Sequence, residues 1–110
     1  MHDVLAVLAI EVLKKRFPEI KFNYTNAGAA GIDIEGRRNS KKFLIAEVKT
    51  TTGNLRNPQG EAIKKDLVRL KESIVKHKFL ILMDAKIKRA VEKKFGKQYL
   101  EIKILNVLEE

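Results

Sequence analysis

The chain contains no cysteine and no tryptophan. Without cysteine there is neither a disulfide nor a thiolate metal site, so any bound metal falls to carboxylates or to His2 and His77. No apolar run approaches the ~18 residues of a membrane-spanning helix. The first residues read as an acidic, helical start rather than a secretory leader. These absences lead to the expectation of a cytoplasmic protein with no membrane contact. No internal repeat, low-complexity tract or linker interrupts the sequence. Acids are the scarce charge: 14 Asp and Glu stand against 23 Lys and Arg, a net charge of +9. Such an excess points to a polyanionic partner, most simply nucleic acid. A charge-rich surface of thermophilic type is the plainer alternative, and the two are compatible. With 45% apolar residues over 110 positions, a single domain with a modest core is expected across 1–110.

Residues 3–17 have helical periodicity, with Asp3 placed to cap the N-terminus. At about 100° per residue, Val4, Leu5, Val7, Leu8 and Val12 gather on one arc, and Glu11 falls inside it. A carboxylate there is costly to bury unless paired, so Glu11 is either a snorkelling side chain or part of a site. Pro18 ends the helix, and Ile20, Phe22 and Tyr24 alternate as a strand. Residues 25–31 form a small-residue loop that suits a turn or a close backbone approach to phosphate or metal. A helix through about Val75 follows residues 50–60, with Ile63, Leu67, Leu70 and Ile74 as its buried stripe. His77–Met83 is a continuous apolar run expected to be a strand covered on both faces, with His77 structural. Asp84 is placed to cap a helix over 85–95 that stops at Gly96. Tyr99–Leu105 alternates as an edge or half-covered strand, and 106–110 is a short tail.

The most informative stretch is GIDIEGRRNSKKFLIAEVKTTT, residues 31–52, which reads as two strands joined by a basic turn. Leu44, Ala46 and Val48 point to one face of the second strand, while Glu47 and Lys49 point to the other. A hairpin symmetric about Ser40 sets Asp33 directly across from Glu47. Cross-strand Cβ atoms are roughly 5 Å apart, and like charges at that distance repel. A divalent cation would reconcile the two carboxylates, and Lys49 projects into the same place. The alternative is a simple ion pair between Lys49 and one of the acids.

Asp33 followed by Glu47-Val48-Lys49 resembles the motif of the PD-(D/E)xK nuclease superfamily, with Ile32 where the name has proline. The element order α-β-β-β-α-β-α-β is also similar to the restriction-endonuclease-like core plus one helix and one edge strand. Fold class is therefore expected to be α/β, a mixed sheet flanked by helices. Small size and a helix-borne Glu look like archaeal Holliday-junction-resolvase-like or minimal restriction-type members. The resemblance implies a Mg²⁺ site, with Mn²⁺ as a substitute, held by Asp33, Glu47, the carbonyl of Val48 and Glu11. It implies an endonuclease in which Lys49 assists the attacking water, with Asp33, Glu47, Lys49 and Glu11 as the catalytic set. Arg37, Arg38, Lys41, Lys42, Arg56, Lys64 and Lys71 are expected to hold duplex or branched DNA by its phosphates. A chain this small that cuts both strands is expected to work as a homodimer, with the strand at 99–105 as one candidate interface, or within a larger nuclease complex. A non-catalytic or partner-dependent nucleic-acid-binding subunit is the competing expectation.

Overall fold

The computed structural model describes residues 2–25 and 32–110. Most of the small-residue loop read from the sequence, residues 26–31, lies outside the described residues. The elements follow as α1 (His2–Arg16), β1 (Lys21–Tyr24), β2 (Ile34–Arg38), β3 (Lys41–Lys49), α2 (Gln59–Glu72), β4 (His77–Leu82), α3 (Ala85–Phe95) and β5 (Ile102–Asn106), with a short 3₁₀ turn over Val107–Glu109. They build one mixed sheet in the order β1-β2-β3-β4-β5. β1, β2 and β3 run antiparallel, while β3, β4 and β5 run parallel. Parallel neighbours need long crossovers, and α2 and α3 supply them. Both pack on one face of the sheet, and α1 covers the other, giving an α/β domain of three layers.

Leu5, Ala6, Ala9 and Leu13 of α1 bury against Leu44, Ala46, Val48, Phe79 and Ile81. On the opposite face, Ile63, Leu67 and Leu70 of α2 and Ile87, Val91 and Phe95 of α3 meet Ile45, Leu80 and Leu82. β4 feeds both cores with alternate residues, as its unbroken apolar run predicts. Asp84 caps α3 by accepting from the N–H groups of Lys86 (2.8 Å) and Ile87 (3.3 Å).

The structure departs from expectation at several places, each with a local cause. The buried arc of α1 is the Leu5–Ala6–Ala9–Leu13 side, because small alanines let the helix approach the sheet; Val4, Val7 and Leu8 face outward, 56%, 59% and 42% exposed. Asp3 lies within α1 and accepts from the Tyr24 hydroxyl. α2 ends at Glu72, where Ser73 turns extended, so Ile74 leaves the stripe and is fully exposed. β5 begins at Ile102, which leaves Leu100 82% exposed. Gly96 ends α3 in right-handed geometry (φ −52°) rather than as a left-handed stop. The tail is anchored: Asn106 caps the 3₁₀ turn through Leu108 N–H at 3.0 Å, and Val107 is buried in the α1-side core.

The β2–β3 hairpin sets the geometry of the site. Asn39 (φ 52°) and Ser40 (φ 67°) make a two-residue turn of the left-handed kind that matches strand twist. At the tip Arg38 pairs with Lys41 and Arg37 with Lys42; the register then shifts, and Gly36 pairs with Leu44 and Ile34 with Ala46. Phe43 is the extra residue of this bulge. Without it the pairing would bring Ala46, not Glu47, across from Asp33.

Candidate active site

Asp33 stands one residue before β2, and its carbonyl accepts from Thr25 N–H at 2.8 Å, which ties it to the β1 side. Across from it, Glu47 lies near the C-terminal end of β3 and is 2% exposed. The two acids engage reciprocally. Asp33 N–H donates to Glu47 Oε1 at 3.1 Å, and Val48 N–H donates to Asp33 Oδ2 at 3.0 Å. In an extended strand the N–H and C=O of one residue point to the same edge. The carbonyl of Val48 therefore faces the edge that carries Asp33. His2, at the start of α1, places Nε2 3.5 Å from Asp33 Oδ2.

α2 completes the cluster with Asp66 and Arg69, neither of them among the expected site residues. Asp66 is buried, 5% exposed, and Arg69 reaches inward from the surface. Arg69 Nη1 lies 3.2 Å from Glu47 Oε2 and 3.6 Å from Asp66 Oδ1. Lys49 Nζ lies 3.2 Å from Asp66 Oδ2, at ion-pair distance without hydrogen-bond alignment, so that buried oxygen has no hydrogen-bond partner among the described residues. Asp66 was detectable: it falls three residues after Ile63 and four before Leu70, on the stripe that faces the sheet.

These surroundings decide the charge of Glu47. Burial raises its pKa first, and the neighbouring carboxylates of Asp66 and Asp33 raise it further. The Asp33 N–H and the Arg69 guanidinium pull the other way, and the net result is a rise from 4.5 to about 8. A neutral Glu47 leaves Asp33 and Asp66 balanced by Lys49 and Arg69. An ionised Glu47 makes three carboxylates against two cations, a deficit of one positive charge.

A cation beside Glu47 would remove that deficit. Asp33, Glu47 and the Val48 carbonyl form an all-oxygen set suited to Mg²⁺ or Mn²⁺. Among the described residues, no group of three or more His, Asp or Glu side chains is arranged to hold a metal ion, so the set depends on the backbone oxygen and on water.

The other expected site residues lie elsewhere. Glu11 shares the outward side of α1 with Val4, Val7 and Leu8, 63% exposed in its side chain, and its ion partner is Lys14 at 3.9 Å. The structure does not bring it to Asp33 and Glu47, because the arc it belongs to is not the buried one. Arg37, Arg38, Lys41 and Lys42 cluster at the hairpin tip rather than beside the carboxylates. Six residues of β3 separate Lys41 from Glu47, about 20 Å. Arg37 bonds Glu35 (2.5 Å) and the Ser40 carbonyl (2.9 Å), and Lys42 lies 3.6 Å from Glu35. Arg56 and Lys64 are exposed around the start of α2, whereas Lys71, near its end, reaches the Gln98 carbonyl at 3.4 Å. Among the described residues, no helix is long and apolar enough to cross a membrane. The chain matches no protein-family model, no curated protein and no solved structure in comparisons with each.

Proposed function

We propose that this chain is a metal-dependent endonuclease of PD-(D/E)xK type that hydrolyses DNA phosphodiester bonds. The observation that carries the reading is the bulged hairpin register, which brings Asp33 onto Glu47 and Val48 with Lys49 two residues on. The element order, with a helix before the hairpin and a helical crossover after it, supports a restriction-endonuclease-like core.

Asp33, Glu47 and the Val48 carbonyl would hold the cation. Bound Mg²⁺ supplies charge relief at the phosphate and an acidified water. Asp66 holds Lys49 so that its Nζ orients the attacking water and faces the charge that builds on the phosphate. Arg69 keeps the buried acids compatible with folding before substrate arrives, and its half-exposed guanidinium is free to turn toward phosphate oxygens. Exposed Arg56 and Lys64 lie at the start of the same helix, where they would contact DNA backbone. Duplex or branched DNA is the proposed substrate, with a homodimer cutting both strands.

The test is cleavage of supercoiled plasmid and a synthetic four-way junction with Mg²⁺, Mn²⁺ or EDTA, comparing the wild type with Lys49→Ala. Metal-dependent cutting, lowered at least about a hundredfold in the variant, is expected. No cutting of either DNA, with salt-sensitive binding retained, would overturn the enzymatic reading.

One feature favours a second reading, a non-catalytic or partner-dependent nucleic-acid-binding subunit. Lys49 and Arg69 already pair with Asp66 and Glu47, as in a structural ion-pair network. On that reading Lys49→Ala lowers stability and leaves DNA affinity unchanged.

A further inference from the structure

The bulge that aligns Asp33 with Glu47 also lets Phe43 join Leu44 on the α1 side of β3. There Phe43 stacks on His77, centroids 4.4 Å apart and planes 26° apart, with Phe17 edge-on to both rings. Arg38 sits over Phe43, its guanidinium carbon 5.8 Å from the ring centroid.

Two neighbouring hollows meet at this ring. One of about 480 Å³ is lined by Lys42, Phe43, Ile74, Val75, Lys76 and His77. The other, about 360 Å³, is lined by Arg38, Asn39, Lys41, Lys42 and Phe43. Both have apolar or aromatic floors and cationic rims. Burial, helped by Lys76 and then Lys103, lowers the His77 pKa, which keeps the imidazole neutral at neutral pH. Glu35 meets this rim and is shared between Arg37 and Lys42, and Glu19 lines the adjoining hollow with Arg37, Asn39 and Ser40. Ile74, on the rim of the larger hollow, is fully exposed.

From this arrangement we infer a second binding site, a platform for unpaired nucleotides at the hairpin end, with bases over Phe43, His77 and Ile74 and phosphates on Arg38, Lys41, Lys42 and Lys76. Aromatic floors with tracking cations are how single-stranded nucleic acid is held without base readout. An acidic peptide would use the cations and leave the rings idle; a duplex has its bases stacked away. Phe43 lies four residues from Glu47 on β3, about 13 Å along the strand and on the opposite face of the sheet, so the two sites are distinct. The inference rests on nucleic acid as the polyanionic partner and not on cleavage.

The experiment is fluorescence anisotropy in EDTA with a labelled oligothymidylate of about ten nucleotides, competed by duplex DNA or polyglutamate, across a salt series. Four phosphate contacts predict a log affinity–log salt slope near −3, since single strands give about −0.7 per contact. Lys42→Glu with Lys76→Glu, both at exposed positions, should halve that slope and weaken binding at least about tenfold. Phe43→Leu keeps an apolar side chain in place and should abolish quenching of a 2-aminopurine base in the strand, weakening binding about fivefold or more. Unchanged thermal melts establish that each variant is folded. Equal binding by the double charge variant, retained quenching in Phe43→Leu, or polyglutamate competing as well as oligothymidylate would each overturn the assignment. Because EDTA removes cleavage from the readout, loss of strand binding and loss of nuclease activity are separate results.

Discussion

The two ends of the β2–β3 hairpin hold their charge in opposite ways. At the open end, Glu47 and Asp66 are buried, crowded by Asp33, and balanced by Lys49 and Arg69 with one carboxyl protonated. At the turn, Arg37, Arg38, Lys41 and Lys42 face solvent, with Glu35 paired to Arg37 and Lys42 and Glu19 sharing a hollow with Arg37, Asn39 and Ser40. Charge in water is screened and contributes little to stability, whereas buried charge shifts pKa values and couples neighbours. Only the open end is therefore expected to sense protons and divalent cations, while the turn end is built for long-range attraction of a polyanion.

The largest expected contrast is in pH dependence. Glu47 has a folded pKa near 8 against an ordinary 4.5, so the folded chain binds more protons than the unfolded one between these values. Its contribution is fully present below about pH 4.5 and is lost as pH rises through about 8. Up to about 5 kcal/mol is involved. Melting temperature should fall from about pH 5 to pH 9 in the wild type and stay nearly flat in Glu47→Gln. A flat wild-type profile would abolish the distinction between the ends.

Removing Arg69 should have the next largest effect. Arg69→Ala leaves Glu47 and Asp66 facing each other with Lys49 alone; half-exposure of the guanidinium reduces the cost to about 2 kcal/mol. Chemical denaturation near neutral pH measures it, and Arg69→Lys should recover part of the loss. At the turn end, Lys41→Ala should shift stability by less than about 0.5 kcal/mol. The backbone there offers a change of opposite sign. Ser40 holds φ at 67°, so Ser40→Gly should stabilise by about 0.5–1 kcal/mol if relief of left-handed strain exceeds the extra freedom of the unfolded chain. A loss of stability on that substitution would show the turn to be favoured by its side chains.

Element order was legible because each segment carries its own period and punctuation. The even alternation of Leu44, Ala46 and Val48, the unbroken run from His77, and Asp84 ahead of a helical stripe are local signals, and they form the elements they predict. The pairing of Asp33 with Glu47 was legible for a subtler reason. Symmetry about Ser40 holds in the body of the ladder, although at the tip the axis lies between Asn39 and Ser40; the Phe43 bulge reconciles the two. What could not be read locally was which side of a two-sided apolar pattern faces the sheet. α1 has apolar residues nearly all round, so Val4, Val7 and Leu8 looked as buriable as Leu5, Ala6 and Ala9. Glu11 was placed with the wrong set for that reason. Distance along a hairpin misled in the same way: four cations adjacent in sequence to the acidic strands lie about 16–20 Å from Glu47 once the strands are extended. Asp66 and Arg69 join the cluster through tertiary contact, and only the position of Asp66 within the Ile63–Leu70 stripe hinted at it.

The most direct test of the central claim, that Asp33 and Glu47 form a cation site, is thermal melting near pH 8 with and without Mg²⁺ or Mn²⁺, in wild type, Asp33→Asn and Glu47→Gln. A cation that binds only the folded chain stabilises it by about 1.4 kcal/mol at ten times its dissociation constant, roughly 5 °C for a domain of this size. That rise is expected in the wild type and should be lost in both variants. An equal rise in all three proteins, or none in the wild type at saturating metal, would contradict it.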